Sequence, residues 1–216
     1  MPVIIRGEDA KANDVAGCVV AARLRRDDIG NDQIELDHVT MAIGATHEFE
    51  LDGAAIGWLQ VLAGSGTLGG DTLTTSHIAY LPLGFSRGFY AVEDGTRILV
   101  STVPDAVRFD DAIADMPTTL NCVNWTREPV LESEHDARKR IYMATKALAG
   151  THAFKGEMIS YPPGTAAPEH HHIGAEHFQY VISGRGTALL DGTGHVLEAG
   201  DLLYNYEHEP HAFINQ

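Results

Sequence analysis

An internal repeat constrains this chain more than any other feature. Val61-Leu62-Ala63-Gly64-Ser65-Gly66-Thr67 returns as Val181-Ile182-Ser183-Gly184-Arg185-Gly186-Thr187, with four of seven positions identical and Leu/Ile and Ala/Ser as conservative exchanges. Each copy is followed by a turn-rich stretch, Gly69-Gly70-Asp71 in one and Asp191-Gly192-Thr193-Gly194 in the other. A second apolar run then follows, Ile78 to Leu81 and Asp201 to Tyr204. Short strands set between Gly- and Asp-containing turns at intervals of about 8 to 12 residues mark an all-β sandwich or barrel. A chain of 216 residues has room for two such units.

The stretch from about Val103 to Lys139 carries Pro104, Pro117, Pro129 and many acids, which suits an irregular linker. Beyond it, Leu131 to Leu148 opens with helix-favouring Glu, Lys and Arg, whereas Arg140 to Thr145 reads better as a strand.

With 15 Lys and Arg against 30 Asp and Glu, the formal charge is −15. Phosphate backbones and anionic membranes demand clustered cations, so neither nucleic acid nor a membrane surface is expected as a partner. The opening residues lack a basic region followed by a long apolar one, and no run approaches the roughly 18 apolar residues of a membrane span; a cytoplasmic location is expected. Cys18 and Cys122 form no CxxC pair and read as separate reduced thiols.

Histidine is distributed unevenly. Eight of the 12, namely His152, His170, His171, His172, His177, His195, His208 and His211, lie in the last 65 residues. Imidazole is the commonest neutral metal ligand, and several on a rigid scaffold make a transition-metal site. In an extended strand residues i and i+2 share a face, so His170 and His172 project together and His171 points away. The run from His177 to Ser183 places His177, Gln179 and Val181 on one face, and His211 supplies a fourth imidazole.

These residues resemble the cupin superfamily. Gly164, His170, His172 and Gly184 fit its first motif (Gly, five residues, His-x-His, four residues, a carboxylate, six residues, Gly). Gly200, His211 and Asn215 fit the second, with fifteen residues between Gly184 and Gly200. Two departures stand out. His177 occupies the carboxylate position, with Glu176 one residue early, and Tyr206 and His208 replace a Pro and a Gly. Either His177 or, through a local bulge, Glu176 completes the ligand set.

The resemblance implies an all-β protein of tandem jelly-roll barrels (double-stranded β-helices). It would comprise an N-terminal arm over 1–29, a degenerate barrel over 30–105, a linker over 106–137 and a metal-binding barrel over 138–216. Aligning the repeats puts Glu50, Asp52, Gly57 and Arg87 where the second unit has His170, His172, His177 and His211, so the first barrel is expected to hold no metal. His47 and His77 read as structural. After Arg87 the first unit continues into Thr96 to Ser101, a strand without counterpart after His211. The chain is therefore either truncated or fills that place with Val3 to Arg6 or Gly17 to Arg25.

In function the resemblance implies one divalent transition metal, Fe or Mn first with Zn or Ni as options, held by His170, His172, His177 and His211. A small polar substrate that chelates the metal, dioxygenase chemistry and a homodimer are expected, with Glu176, Gln179 and His208 as catalytic candidates. The alternatives are a non-oxidative hydrolase, isomerase or lyase resembling the ureidoglycine aminohydrolases, or a non-catalytic small-molecule binder.

Overall fold

The computed structural model describes residues 1–115, 119–132 and 138–215. It divides into two compact units. One comprises Lys11–Pro129 and Tyr142–Glu157, the other Met1–Ala10, Val130–Ile141 and Met158–Gln216. The first 29 residues are thus split between units, Ala12–Val15 and Cys18–Leu24 being strands of the former and Val3–Ile5 a strand of the latter.

The first unit is built from two antiparallel sheets. The larger runs, in spatial order, Asn121–Asn124, His77–Leu81, Ile56–Ala63, Thr96–Val103, Glu35–Met41, Cys18–Leu24 and Ala12–Val15. The smaller runs Thr46–Glu50, Ser86–Ala91, Ser65–Leu68 and Asp71–Thr74. Their alternating apolar residues form one core, with Val39, Leu59, Val61 and Ile98 from the larger sheet and Phe49, Leu68, Leu73 and Phe89 from the smaller. The expected linker is more structured than its prolines suggest: Asn121–Asn124 pairs with His77–Tyr80, and short helical turns flank it. Burial keeps both cysteines as thiols. It raises Cys18, and with Asp71 beside it lifts Cys122 to about 12.

The second unit repeats the plan with fewer strands among the described residues. One sheet runs Ala166–His170, His211–Ile214, Arg185–Leu190 and Thr193–Glu198; another runs Val3–Ile5, Leu202–Asn205 and His177–Tyr180. Ala188, Leu190, Leu197 and Leu203 form its core, with Ile4, Val181 and Phe213 packed against them. Where a helix was expected from Leu131, Leu131–Glu132 is a strand paired with Lys139–Arg140, and 133–137 lie outside the described residues. Arg140 to Ala144 is a strand, as its composition suggests.

Two glycines explain the repeat in physical terms. A side chain on Gly186 would put its Cβ 2.5 Å from the ring of Phe213, and one on Gly66 would collide with the ring of Phe89. In both units the ring of an aromatic residue on the neighbouring strand stands against the second glycine of the repeat, so only Gly fits. This equates Phe89 with Phe213, and hence Arg87 with His211, two residues earlier in each strand.

The place without a counterpart strand is not filled by either segment considered for it. In the first unit Ile56–Ala63 is flanked by His77–Leu81 and Thr96–Val103. Its counterpart His177–Tyr180 pairs with Leu202–Asn205 and, among the described residues, has no strand on the other side. Val3–Ile5 instead covers the outer edge of Leu202–Asn205, the place that Asn121–Asn124 takes in the first unit. Cys18–Leu24 pairs within its own unit. The consequence shows in burial: Ile56–Val61 is fully buried, His177–Tyr180 only partly.

Candidate metal centre

The second unit brings four imidazoles together. Strand pairing sets His170 opposite His211, with a register shift between Ala167 and His170 that re-aims the strand end. Their ring centroids are 4.4 Å apart. His172 stacks on His211 at 5.5 Å and meets His170 edge-on at 5.3 Å. His177 opens the next strand, 4.3 Å from the His172 ring and 4.6 Å from that of His211. His170, His172 and His211 each present a nitrogen within 4.8 Å of the others, the group of three or more potential ligands found among the described residues. His177 borders that group.

Hydrogen bonds determine which nitrogen faces inward. Nδ1 of His170 lies 2.9 Å from the Pro168 carbonyl and Nδ1 of His211 lies 2.8 Å from the Glu209 carbonyl. A carbonyl oxygen only accepts, so each Nδ1 carries the proton and each Nε2 keeps a lone pair. This is how ligating histidines are commonly oriented by their surroundings. The Nε2 of His211, a residue 2% exposed, is buried without a partner, as is Nδ1 of His177. Buried polar atoms left unpaired are rare, and a divalent cation would satisfy the lone pair of the His211 Nε2. Burial, together with the neighbouring imidazoles, pulls His177 down to about 3; burial likewise lowers His211, against the pull of the Glu209 carbonyl. Both rings are therefore neutral at pH 7, the form that binds metal.

The other candidate residues fall in different places. Strand alternation sets Glu176 on the face opposite His177, where it accepts a hydrogen bond from the buried Tyr204 hydroxyl. That bond explains why an imidazole, and not this carboxylate, borders the cluster. Gln179 shares the face of His177 and pairs across the sheet with core residue Leu203. The His208 side chain is 65% exposed and meets Glu207, while its backbone N–H, at a φ of +66°, donates to the His172 carbonyl at 2.9 Å. His171 is exposed, its ring 6.3 Å from that of His208. Asn215 of the second motif ties the strand end to the Tyr161 carbonyl at 2.6 Å. Asn205 escaped the sequence reading. It is fully buried, 3.3 Å from Nε2 of His177; a polar residue ending the apolar run Leu202-Leu203-Tyr204 was its only signal.

In the first unit the equivalent positions are differently occupied. Arg87 and Glu50 are exposed, and Asp52 caps a turn by accepting from the Ala54 and Ala55 amides, both at 2.8 Å. A Cβ on Gly57, the counterpart of His177, would stand 2.8 Å from the Ser101 carbonyl, so strand Thr96–Val103 leaves no room there for an imidazole. His47 packs edge-on against Phe49, and His77 accepts the Thr74 amide.

Two β-sandwich units, with ligand-type histidines in one and none at the same positions of the other, define a two-barrel jelly-roll protein. Residues 157–216 match the family model of the cupin domain. Among solved structures, oxalate decarboxylase of Bacillus subtilis superposes over 99% of this chain and 73% of its own, at 16% identity. The TM-score is 0.76 for a tryptophan-to-tyrosine variant and 0.77 for a structure addressing its Mn(II) centres. That likeness establishes the fold. Comparison with curated protein sequences gives no significant match. Among the described residues no helix is long and apolar enough to cross a membrane.

Proposed function

We propose that the second unit is the active centre of a metal-dependent enzyme, with one divalent cation, Mn or Fe before Zn or Ni, held by His170, His172, His211 and His177. The observation that carries this reading is the pair of Nδ1-to-carbonyl hydrogen bonds, which turn the lone pairs of His170 and His211 inward in a cluster with a buried, unpartnered Nε2. A cation ligated by neutral imidazoles alone keeps its whole charge, so it would favour a small anionic, chelating substrate and polarise its carboxylate or carbonyl. Gln179 offers an amide to that substrate. Glu176, held by Tyr204, and His208, whose backbone steadies His172, shape the surroundings and are placed less directly for proton transfer.

The chemistry we favour is of the dioxygenase type, since an octahedral ion with three or four protein ligands retains positions for substrate and O₂. Non-oxidative cleavage of a small dicarboxylate is the second reading, and the structural likeness to oxalate decarboxylase speaks for it. The test is elemental analysis of protein purified without added metal, followed by parallel O₂-uptake and CO₂-release assays over small carboxylates and diketones. About one equivalent of metal is expected, lost in His172→Ala and retained in Arg87→Ala. Metal-free wild-type protein, or metal lost only in Arg87→Ala, would overturn the reading. CO₂ release without O₂ uptake would select the second chemistry.

A further inference from the structure

His177 differs from the other imidazoles in what holds it. No carbonyl orients its ring; its Nε2 faces the side-chain nitrogen of Asn205 at 3.3 Å. An amide NH₂ only donates, so in this arrangement Nε2 is the acceptor and Nδ1 carries the proton. Two buried groups are then left without a partner, Nδ1 of His177 and Oδ1 of Asn205. A protonated Nδ1 cannot bind a cation. His177 stands beside the group of His170, His172 and His211, whose nitrogens lie within 4.8 Å of one another.

A half-turn of the Asn205 amide reverses every role. Oδ1 would then accept the proton of Nε2–H, and Nδ1 would offer a lone pair. We propose that Asn205 is the positioning residue that selects the tautomer of His177, and that metal binding goes with the half-turn which frees Nδ1 as the fourth donor. The inference rests on the metal reading of the site. It makes the centre asymmetric: His170 and His211 donate through Nε2 because backbone carbonyls hold Nδ1, whereas His177 donates through Nδ1 because a side chain holds Nε2. A backbone carbonyl allows one tautomer. An amide allows two, so the fourth ligand is the one the protein is able to engage or release.

Zn²⁺ is the probe, being diamagnetic. In ¹⁵N-histidine spectra of the Zn²⁺-loaded wild type, His177 is expected protonated at Nε2. Asn205→Leu, of similar volume and without an acceptor, is expected to weaken Zn²⁺ affinity by about 10- to 100-fold, the usual effect of losing a partner of a ligating histidine. Asn205→Asp, which keeps the acceptor, is expected to stay within a few-fold of wild type. A merely structural role for Asn205 would not separate Leu from Asp in this way. Wild-type affinity in folded Asn205→Leu, or Nδ1 protonation of His177 in the loaded wild type, would overturn the inference and leave the metal reading standing. Should Asn205→Leu not fold, the wild-type spectrum decides. Wild-type protein that binds no Zn²⁺ would overturn both.

Discussion

Arg6 anchors the short strand that covers Leu202–Asn205, and its removal has a calculable cost. One guanidinium nitrogen donates to Asp201 at 2.7 Å and to the Val196 carbonyl at 2.6 Å. The Asp201 side chain is 9% exposed and that of Arg6 38%. A charge-assisted hydrogen bond contributes roughly 1.5 to 3 kcal/mol. Because Arg6 is more than a third exposed, solvent screens the Coulombic part. The Gly7 and Glu198 amides, at 2.8 and 3.1 Å, continue to hold Asp201, so Arg6→Ala should cost about 2 kcal/mol. Arg6→Lys, with a point charge and no fork, should cost about half that. A loss of about 2 kcal/mol in a local opening equilibrium is roughly a 30-fold faster amide exchange. The effect should appear at Leu202, Leu203 and Tyr204, which pair with Ile5, Ile4 and Val3. Amides of Ile56–Ala63 in the other unit serve as the control. Exchange at Leu202–Tyr204 within two-fold of wild type would refute the placement of Val3–Ile5 as a stabilising edge.

Two further outcomes follow from packing and charge. Gly186→Ala drives a methyl into the Phe213 ring, and overpacking of this kind costs roughly 1 to 3 kcal/mol. Calorimetry should show a lowered Tm that Phe213→Leu partly restores; an unchanged Tm in the single variant would contradict the close approach. Burial lowers His38 to about 4, helped by Arg23 and Arg97, and burial also lowers His47. For a histidine whose folded pKa is depressed below the unfolded value of about 6.5, the unfolded chain takes up the proton first. Stability is then complete above about pH 6.5 and declines as pH falls toward 4. Denaturation midpoints across that window should drop less steeply in His38→Gln than in wild type, and parallel slopes would exclude His38 as a source.

What the sequence conveyed and what it withheld divide along one physical line. The repeat and the spacing of His170, His172 and His211 are local patterns, and alternation along a strand is enough to put such residues on one face. Arg87 in place of His211 was readable for the same reason, and the shared glycine-over-aromatic contact explains why the register holds. Residues whose roles depend on partners distant in sequence were not readable. Val3–Ile5 has no period that says whether it lies beside Leu202–Asn205 or beside His177–Tyr180; only the pairing decides. Glu176 was the lesser alternative to His177, reached only through a bulge, and nothing near it in sequence told of its partner, the Tyr204 hydroxyl 28 positions away. Asn205 lies 28 positions from His177 as well. Periodicity places an imidazole at a site, but which of its two nitrogens is free depends on the hydrogen bond made by the other. A motif that lists ligands is therefore incomplete as chemistry until the residue behind each ligand is named. For His170 and His211 that partner is a backbone carbonyl two residues earlier, which any residue at 168 or 209 would provide. For His177 it is the side chain of Asn205, a partner that a mutation can change without touching a proposed ligand.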